Sequence, residues 1–321
     1  MKKAIVLLFL IALQLKAFCW GFFAHKKINN YAIYLLPPEM LSFYKTNIDF
    51  ITEHAIDPDK RRYAIPEEAP RHYLDLDHYG AYPYEKLPHN WYDAVNQYGE
   101  DTLNAHGIGP WWVVVMETKL ANAFKEKNKI KILKYSAEIG HYIADLHVPL
   151  HSSNNHNGQF TGQNGIHGFW ESRIPELFAD NKWDFFIGKA EFIPKPSDYI
   201  WNRMLESGAA SDTVLKYEAA LNKKFPSDKK YAFEKRNGIT IRQYSTGYSS
   251  AYDALLNGMV ERRMRLAIYS VASFWYTAWV NAGQPDLKSL NNTTLSDEDI
   301  KEFEALDNQW KNGKSKGRIC D

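Results

Sequence analysis

The side chains best suited to chemistry lie in residues 139–171, IGHYIADLHVPLHSSNNHNGQFTGQNGIHGFWE. This stretch has five histidines, one aspartate and one glutamate. All 11 histidines of the 321-residue chain lie between His25 and His167, whereas histidines buried in a core would be spread more evenly. Imidazole and carboxylate groups are ligands that zinc binds in proteins. The clustering therefore indicates a functional site, and its composition favours a metal.

The spacing within this stretch matches a metal site. His141 and Asp145 are four residues apart, which places both side chains on one face of a helix. His151 follows just beyond the expected end of this helix, where the chain can turn back towards it. His167 and Glu171 repeat the four-residue spacing at the start of a second predicted helix. One pair alone would say little, but the ordered set predicts bound zinc.

More side chains of ligand type lie upstream. Asp57 and Asp59 occur in EHAIDPDKRR, and His72 occurs in PRHYLDLDHY, which also contains Asp75 and Asp77. Carboxylates often orient metal-bound histidines without binding the metal themselves. We therefore interpret Asp59, Asp75 and Asp77 as such partners or as loop carboxylates.

The first 19 residues have the pattern of a signal peptide. MKK is positively charged, AIVLLFLIAL is apolar, and Ala17 and Cys19 supply small side chains for cleavage before Trp20. The apolar run is too short to span a bilayer. We predict removal of residues 1–19, export to the periplasm or medium, and a mature chain without a transmembrane helix.

Cleavage at this point would change the chemistry of the N-terminus. Trp20 would gain a free α-amino group, and this nitrogen and the Trp20 carbonyl oxygen can chelate one metal ion. His25 is near enough in sequence to join them. Cleavage would also leave Cys320 as the only cysteine, so no intramolecular disulfide can form. Such an exported chain is expected to gain stability from a large core or from bound metal.

The rest of the sequence predicts a helical scaffold. Apolar residues recur at helical spacing in residues 111–129, 130–147 and 260–283, and no segment shows a strand-like alternation of any length. We predict an all-α, single-domain multi-helix bundle over residues 20–290. Residues 291–321 are expected to form a polar C-terminal tail with one short helix. The balance of 39 basic and 38 acidic residues argues against a strongly basic nucleic-acid binder.

Five elements in order resemble a known family. They are Trp20 at a processed N-terminus, AID at 55–57, RHY at 71–73, GHYIADLHVPLH at 140–151 and HGFWE at 167–171. This set is similar to the zinc-dependent phospholipase C superfamily, which includes the single-strand-specific nucleases of fungal and plant type. The resemblance implies a helical bundle around a trinuclear zinc cleft that hydrolyses phosphodiesters.

The resemblance also implies a role for individual residues. The first zinc would be held by Asp57, His72, His141 and Asp145, the second by His151, His167 and Glu171, and the third by Trp20 and His25, with Asp145 as a bridge. Asp57 would in addition accept the proton of the attacking water. Lys60 or Arg61 would help to hold the phosphate.

Two branches of the superfamily remain open for the substrate. The short spacing from Trp20 to His25 resembles the nucleases, whereas Glu171 resembles the phospholipases. We expect a phosphodiester hydrolase of phospholipase C type, with a single-strand nuclease or 3′-nucleotidase as the alternative and no stable binding of duplex nucleic acid. A non-catalytic, exported zinc-binding structural protein is a third possibility. Structural zinc sites are closed four-ligand sites, however, and nine ligand residues for three ions leave positions open.

Overall fold

The computed structural model describes residues 21–236, 238–292, 294 and 296–316, so the predicted signal peptide and Trp20 lie outside the described residues. The described chain is mostly helical, which confirms the predicted all-α class. Its α-helices are α1 (Phe22–Ile33), α2 (Pro38–Thr46), α3 (Ile48–Glu53), α4 (Asp57–Arg61), α5 (Trp91–Tyr98), α6 (Glu100–His106), α7 (Gly109–Lys125), α8 (Lys129–Asp145), α9 (Ile166–Gly168), α10 (Ile174–Phe178), α11 (Pro196–Lys224), α12 (Thr246–Leu255), α13 (Met259–Asn281) and α14 (Asp297–Asn312).

Short turns of other helix types join these elements. The 3₁₀ turns are His54–Ile56, Pro66–His72, Leu76–Tyr79, Pro149–Ser152, Ser227–Lys229 and Lys288–Asn292, and Phe169–Arg173 forms one π-helical turn between α9 and α10. Among the residues that the structure describes, none of the helices combines the length and the apolar character that a bilayer-spanning segment requires.

The core is built around α13, which contacts α1, α7 and α8. Trp275 of α13 is fully buried. Its ring stacks on Tyr44 with centroids 5.0 Å apart, and its indole N–H donates to the carbonyl oxygen of Ser136 at 2.9 Å. Burying both rings removes a large apolar area from water and satisfies the one polar atom of the indole. This packing fixes the position of α8, which carries the predicted ligands.

Helix α8 has clear sequence signals at both ends. The side chain of Asn128 accepts a hydrogen bond from the amide of Lys131 at 3.1 Å, which caps the N-terminus. The helix ends at Asp145, four residues before Pro149, as the sequence predicts. Its last turns are buried, so His141 and Asp145 point into the protein rather than into solvent.

Helix α1 approaches α8 closely at Gly140. A Cβ atom at this position would overlap the side chain of Asn29, which itself donates to the carbonyl oxygen of Ala137 at 3.0 Å. The absence of a side chain at Gly140 therefore sets the distance between the two helices. His25 lies one turn before Asn29 on α1, and this approach stacks its ring on that of His141 with centroids 3.8 Å apart.

A β-hairpin is the main feature that the sequence did not predict. Strands β1 (Tyr231–Arg236) and β2 (Ile239–Tyr244) pair in antiparallel register, with Tyr231 opposite Tyr244. The sequence Asn237-Gly238 between them is a typical hairpin signal. Most of the hairpin is exposed or half-buried, so its strands do not show the sustained alternation of apolar and polar residues that marks a strand with one buried face.

The C-terminal segment contains a longer helix than expected. Helix α14 covers 16 residues, is capped by Ser296 and Asp299, and packs against α4. Phe303 lies over His54 with ring centroids 4.3 Å apart, and Asp307 accepts a hydrogen bond from Lys60 at 2.7 Å. Part of the predicted polar tail therefore packs against α4 and the turn that precedes it.

We predict that Gly140→Ala lowers the free energy of unfolding by about 1–3 kcal/mol, because overpacking forces α1 and α8 apart. Denaturant unfolding measures this loss. Gly247→Ala in α12 is the matched control, since the nearest atom to its Cβ would lie at 3.8 Å. The control is expected to be neutral or slightly stabilising. Equal stability of the two variants would contradict this account of the helix crossing.

Candidate metal centre

Three ligand-type atoms meet at the end of α8. His72 Nδ1 lies 2.9 Å from Asp145 Oδ2, His141 Nε2 lies 3.2 Å from the same oxygen, and the two nitrogens are 3.1 Å apart. Ligands 2.0–2.1 Å from a tetrahedral zinc ion are about 3.3 Å from one another. The three side chains are fully buried, so the atoms are close to the separations that zinc requires and shielded from water.

Asp59 supplies the fourth side chain of this first group. Its Oδ1 lies 3.9 Å from His72 Nδ1 and 3.7 Å from His141 Nε2. Both carboxylate oxygens are buried and have no hydrogen-bond partner among the described residues. Burial raises the pKa of Asp59 to about 6. Arg62 Nη1 lies 3.9 Å from Oδ1. A buried carboxylate that accepts no hydrogen bond is costly, and a bound cation would reduce that cost.

The structure brings Asp59, and not the predicted Asp57, into this group, and Asp57 as a zinc ligand stays a prediction. Asp57 Oδ2 lies 2.6 Å from His54 Nδ1, and its Oδ1 lies 3.1 Å from Lys60 Nζ. It belongs to none of the three ligand groups found among the described residues. Both aspartates lie in α4, and positions two apart on a helix point to different sides. The sequence Asp-Pro-Asp therefore offered two carboxylates, of which the fold directs the second towards His72.

A second group consists of His151, His167 and Glu171. The two Nε2 atoms are 3.2 Å apart, and Glu171 Oε2 lies 3.0 Å from that of His167 and 3.5 Å from that of His151. The Nδ1 atoms face the carbonyl oxygens of His72 at 2.7 Å and His156 at 3.1 Å. Donation of Nδ1–H to these carbonyls leaves both Nε2 lone pairs directed at the group, which is the usual support of metal-bound histidines.

His25 and Asp145 form the described part of the third site. His25 Nε2 lies 3.3 Å from Asp145 Oδ1, and this oxygen is also 3.8 Å from His151 Nε2. Asp145 thus faces all three groups, as its predicted bridging position requires. The first described residue, Gly21, donates its amide to Ser172 Oγ at 2.9 Å. The described chain therefore begins beside the residue that follows Glu171.

The electrostatics of the cluster favour added positive charge. Burial, together with the charge of His141, lowers the pKa of His25 to about 4, so this ring is neutral and has a lone pair to give. Burial also opposes the charged form of His72, but hydrogen bonding to Asp145 and Glu68 raises the pKa of His72 to about 9. The pKa values of Asp145 and Glu171 are lowered despite burial, because histidines surround both carboxylates.

The two predicted phosphate-binding residues are engaged in ion pairs. Arg61 bonds Glu68 at 2.9 Å and Glu138 at 2.7 Å, and Lys60 bonds Asp307 at 2.7 Å as well as Asp57. A role in binding phosphate would compete with these partners, so it stays a prediction for both residues.

Asp77 and His147 lie outside the three ligand groups of the described residues. Asp77 accepts a hydrogen bond from Ser153 Oγ at 2.7 Å, as a loop carboxylate would. His147 is buried, with Nδ1 2.7 Å from the carbonyl oxygen of Ile143 and Nε2 3.1 Å from Ser270 Oγ. Sequence reasoning missed Glu68, a buried residue within 3.5 Å of His72. Its position four residues before His72 was the one available signal.

The chain matches a known protein family. Residues 24–235, about two thirds of the chain, match the family described as zinc dependent phospholipase C. The chain belongs to the zinc-dependent phospholipase C family, and it is accordingly a zinc-dependent, phospholipase-like hydrolase. None of the curated proteins compared with the sequence gives a significant match.

We expect Asp59→Asn to reduce the zinc content by about one ion per chain, because the amide replaces the charged oxygen facing His72 and His141. Metal analysis after dialysis against dilute zinc measures the content. Asp57→Asn is the matched control in the same helix and should retain the zinc content of the unmodified chain. The reverse pattern, with zinc lost only from Asp57→Asn, would restore Asp57 as the ligand.

Proposed function

We propose that this protein is an exported phosphodiester hydrolase of phospholipase C type that uses three zinc ions. One observation carries the proposal: buried histidine nitrogens from four segments face Asp145, and the side chains of Asp59, His167 and Glu171 lie against those histidines. The side chains that would hold zinc are His25, Asp59, His72, His141, Asp145, His151, His167 and Glu171. Family membership supports zinc as the metal. The signal-peptide pattern of residues 1–19 supports export.

The protein groups have distinct tasks in this proposal. When bound, the zinc ions would lower the pKa of a water molecule and polarise a phosphoryl oxygen. His141, His151 and His167 keep their Nε2 lone pairs directed at the centre, since the Nδ1 atom of each ring faces a backbone carbonyl oxygen. Asp59, whose two oxygens accept no hydrogen bond among the described residues, would accept the proton that such a water releases, the role that the sequence analysis gave to Asp57. No covalent nucleophile from the protein is needed.

The family supports a phospholipid as substrate. The family is described as a phospholipase C, and enzymes of that class hydrolyse the bond between the glycerol and the phosphate of a phospholipid. Burial of the cluster suits such a reaction, because excluded water strengthens the interaction of cations with phosphate oxygens. Single-stranded nucleic acid carries the same diester chemistry and serves as the comparison substrate.

The purified, processed chain should hydrolyse phosphatidylcholine in a chelator-sensitive manner. Turnover is to be compared on phosphatidylcholine vesicles, single-stranded DNA, RNA and a nucleoside 3′-phosphate, each with and without chelator. Chelation should abolish turnover and lower the melting temperature, because metal binding is coupled to folding in such sites. Re-added zinc should restore both. Hydrolysis of the nucleic acids alone would reassign the substrate, and no zinc-dependent turnover on any of them would favour a structural protein.

The third zinc should depend on signal cleavage. Trp20 can offer an amine only if nothing precedes it, because an amide nitrogen is delocalised into the peptide bond and is a poor ligand. A chain that starts at Trp20 should hold about three zinc ions, and one with an uncleaved methionine before Trp20 about two, with a large fall in turnover. The hydrogen bond from the Gly21 amide to Ser172 Oγ supports this expectation, because Ser172 follows the candidate ligand Glu171. Equal zinc content and equal rates would show that Trp20 is not a ligand.

A further inference from the structure

We propose that Glu68 is a positioning residue that holds His72 with its Nδ1 atom towards the metal. The inference rests on the proposed zinc-dependent function. Glu68 has no exposed surface, and its Oε1 lies 3.5 Å from His72 Nε2. The opposite ring nitrogen, Nδ1, is the one that faces Asp145 and His141.

His72 differs from the other histidines that face Asp145 in how its ring is supported. His141 and His151 direct Nε2 to the centre and place Nδ1 against a backbone carbonyl, 2.9 Å from Ala55 O in the case of His141. In His72 the roles of the two nitrogens are exchanged: Nδ1 faces the centre, and Nε2 faces the carboxylate of Glu68. A carboxylate is a stronger acceptor than a carbonyl, and a histidine bonded to it becomes a better metal ligand.

The two ring nitrogens of His72 each face a carboxylate. Asp145 Oδ2 lies 2.9 Å from Nδ1, and a proton held there would remove the lone pair that zinc needs. Glu68 faces Nε2 and favours the tautomer with the proton on that nitrogen. The buried carboxylate of Glu68 therefore leaves Nδ1 available to the metal and Asp145 available as a ligand.

Glu68 is fixed in its charged form by its own partners. Arg61 Nε and an amino group of Arg71 donate to Oε2 at 2.9 and 2.7 Å, and the hydroxyl of Tyr142 donates to Oε1. An ionised carboxylate has only acceptor sites, so Glu68 can accept a hydrogen bond from His72 Nε2–H but cannot donate one. Arg61 is directed away from solvent because it bonds Glu68, the residue that orients His72.

Glu68→Gln tests the inference because it keeps the shape and alters the hydrogen bonding. Arg61 and Arg71 would keep the amide oxygen of the new side chain on their side, so its N–H₂ group would face His72. Because an N–H₂ group donates, it would favour the His72 tautomer that has its proton on Nδ1. We expect zinc affinity, measured by competition with a chromogenic chelator, to fall about 10–100-fold. Metal analysis at limiting zinc should show the corresponding loss, with no turnover assay involved.

Glu138→Gln is the matched control. Glu138 also pairs with Arg61, at 2.7 Å, and it is nearly as buried, but no contact joins it to His72. Its replacement disturbs the same ionic network and should leave zinc affinity within about twofold. Equal losses in the two variants would assign Glu68 a purely structural role and overturn the proposal. Unchanged affinity in Glu68→Gln would overturn it as well.

A measurement on the unmodified chain guards against a variant that fails to fold. In the zinc-loaded protein, nitrogen-15 NMR of labelled histidine should show a hydrogen-bonded, slowly exchanging proton on His72 Nε2. A His72 ring with its proton on Nδ1 would refute the assignment. Because these readouts are zinc affinity and a ring tautomer, they can succeed even if phosphodiester hydrolysis is not observed, so the two proposals fail separately.

Discussion

Asp145 has no exposed surface, and its two oxygens face different neighbours: Oδ2 lies 2.9 Å from His72 Nδ1, and Oδ1 lies 3.3 Å from His25 Nε2. Removing a carboxylate from water is costly unless positive charge accompanies it. Surrounding histidines supply part of that charge in the protein, and bound cations would supply the rest. The other ligand groups provide the protein's part of this positive charge, since each presents a nitrogen to one side of the Asp145 carboxylate.

The scaffold brings these nitrogens together by fixing α8 and letting other segments approach it. Trp275 and Tyr44 pack beside one part of α8, Gly140 admits α1, and the 3₁₀ turn that ends at His72 crosses its C-terminal end. Few of these contacts involve the ligands themselves. The site therefore depends on packing that is apolar and remote from the chemistry, which is the condition for holding donor atoms in place before a metal arrives.

Sequence reasoning predicted the parts of the site that lie within one helix. The pairs His141 with Asp145 and His167 with Glu171 need only the four-residue repeat, and their positions follow from it. The choice between Asp57 and Asp59 depends on how α4 is rotated against α8, which is a tertiary property. The hairpin was missed because its exposed strands need no apolar face. Glu68 lies only four residues before His72, but both are in the 3₁₀ turn Pro66–His72, which the sequence analysis did not predict, so the spacing alone did not mark their contact.

The two ends of the described chain meet on one side of the metal centre. The ring of Trp310, from α14, lies 5.5 Å from that of Phe22, the first residue of α1, and Lys316 donates its amide to the carbonyl oxygen of Arg62 at 2.7 Å. Helix α14 also packs against α4, the helix that carries Asp59, and its Asp307 accepts a hydrogen bond from Lys60 in that helix. A segment that lies far from every candidate ligand in the sequence thus supports one carboxylate of the centre, so a substitution in α14 would reach the metal through the rotation of α4.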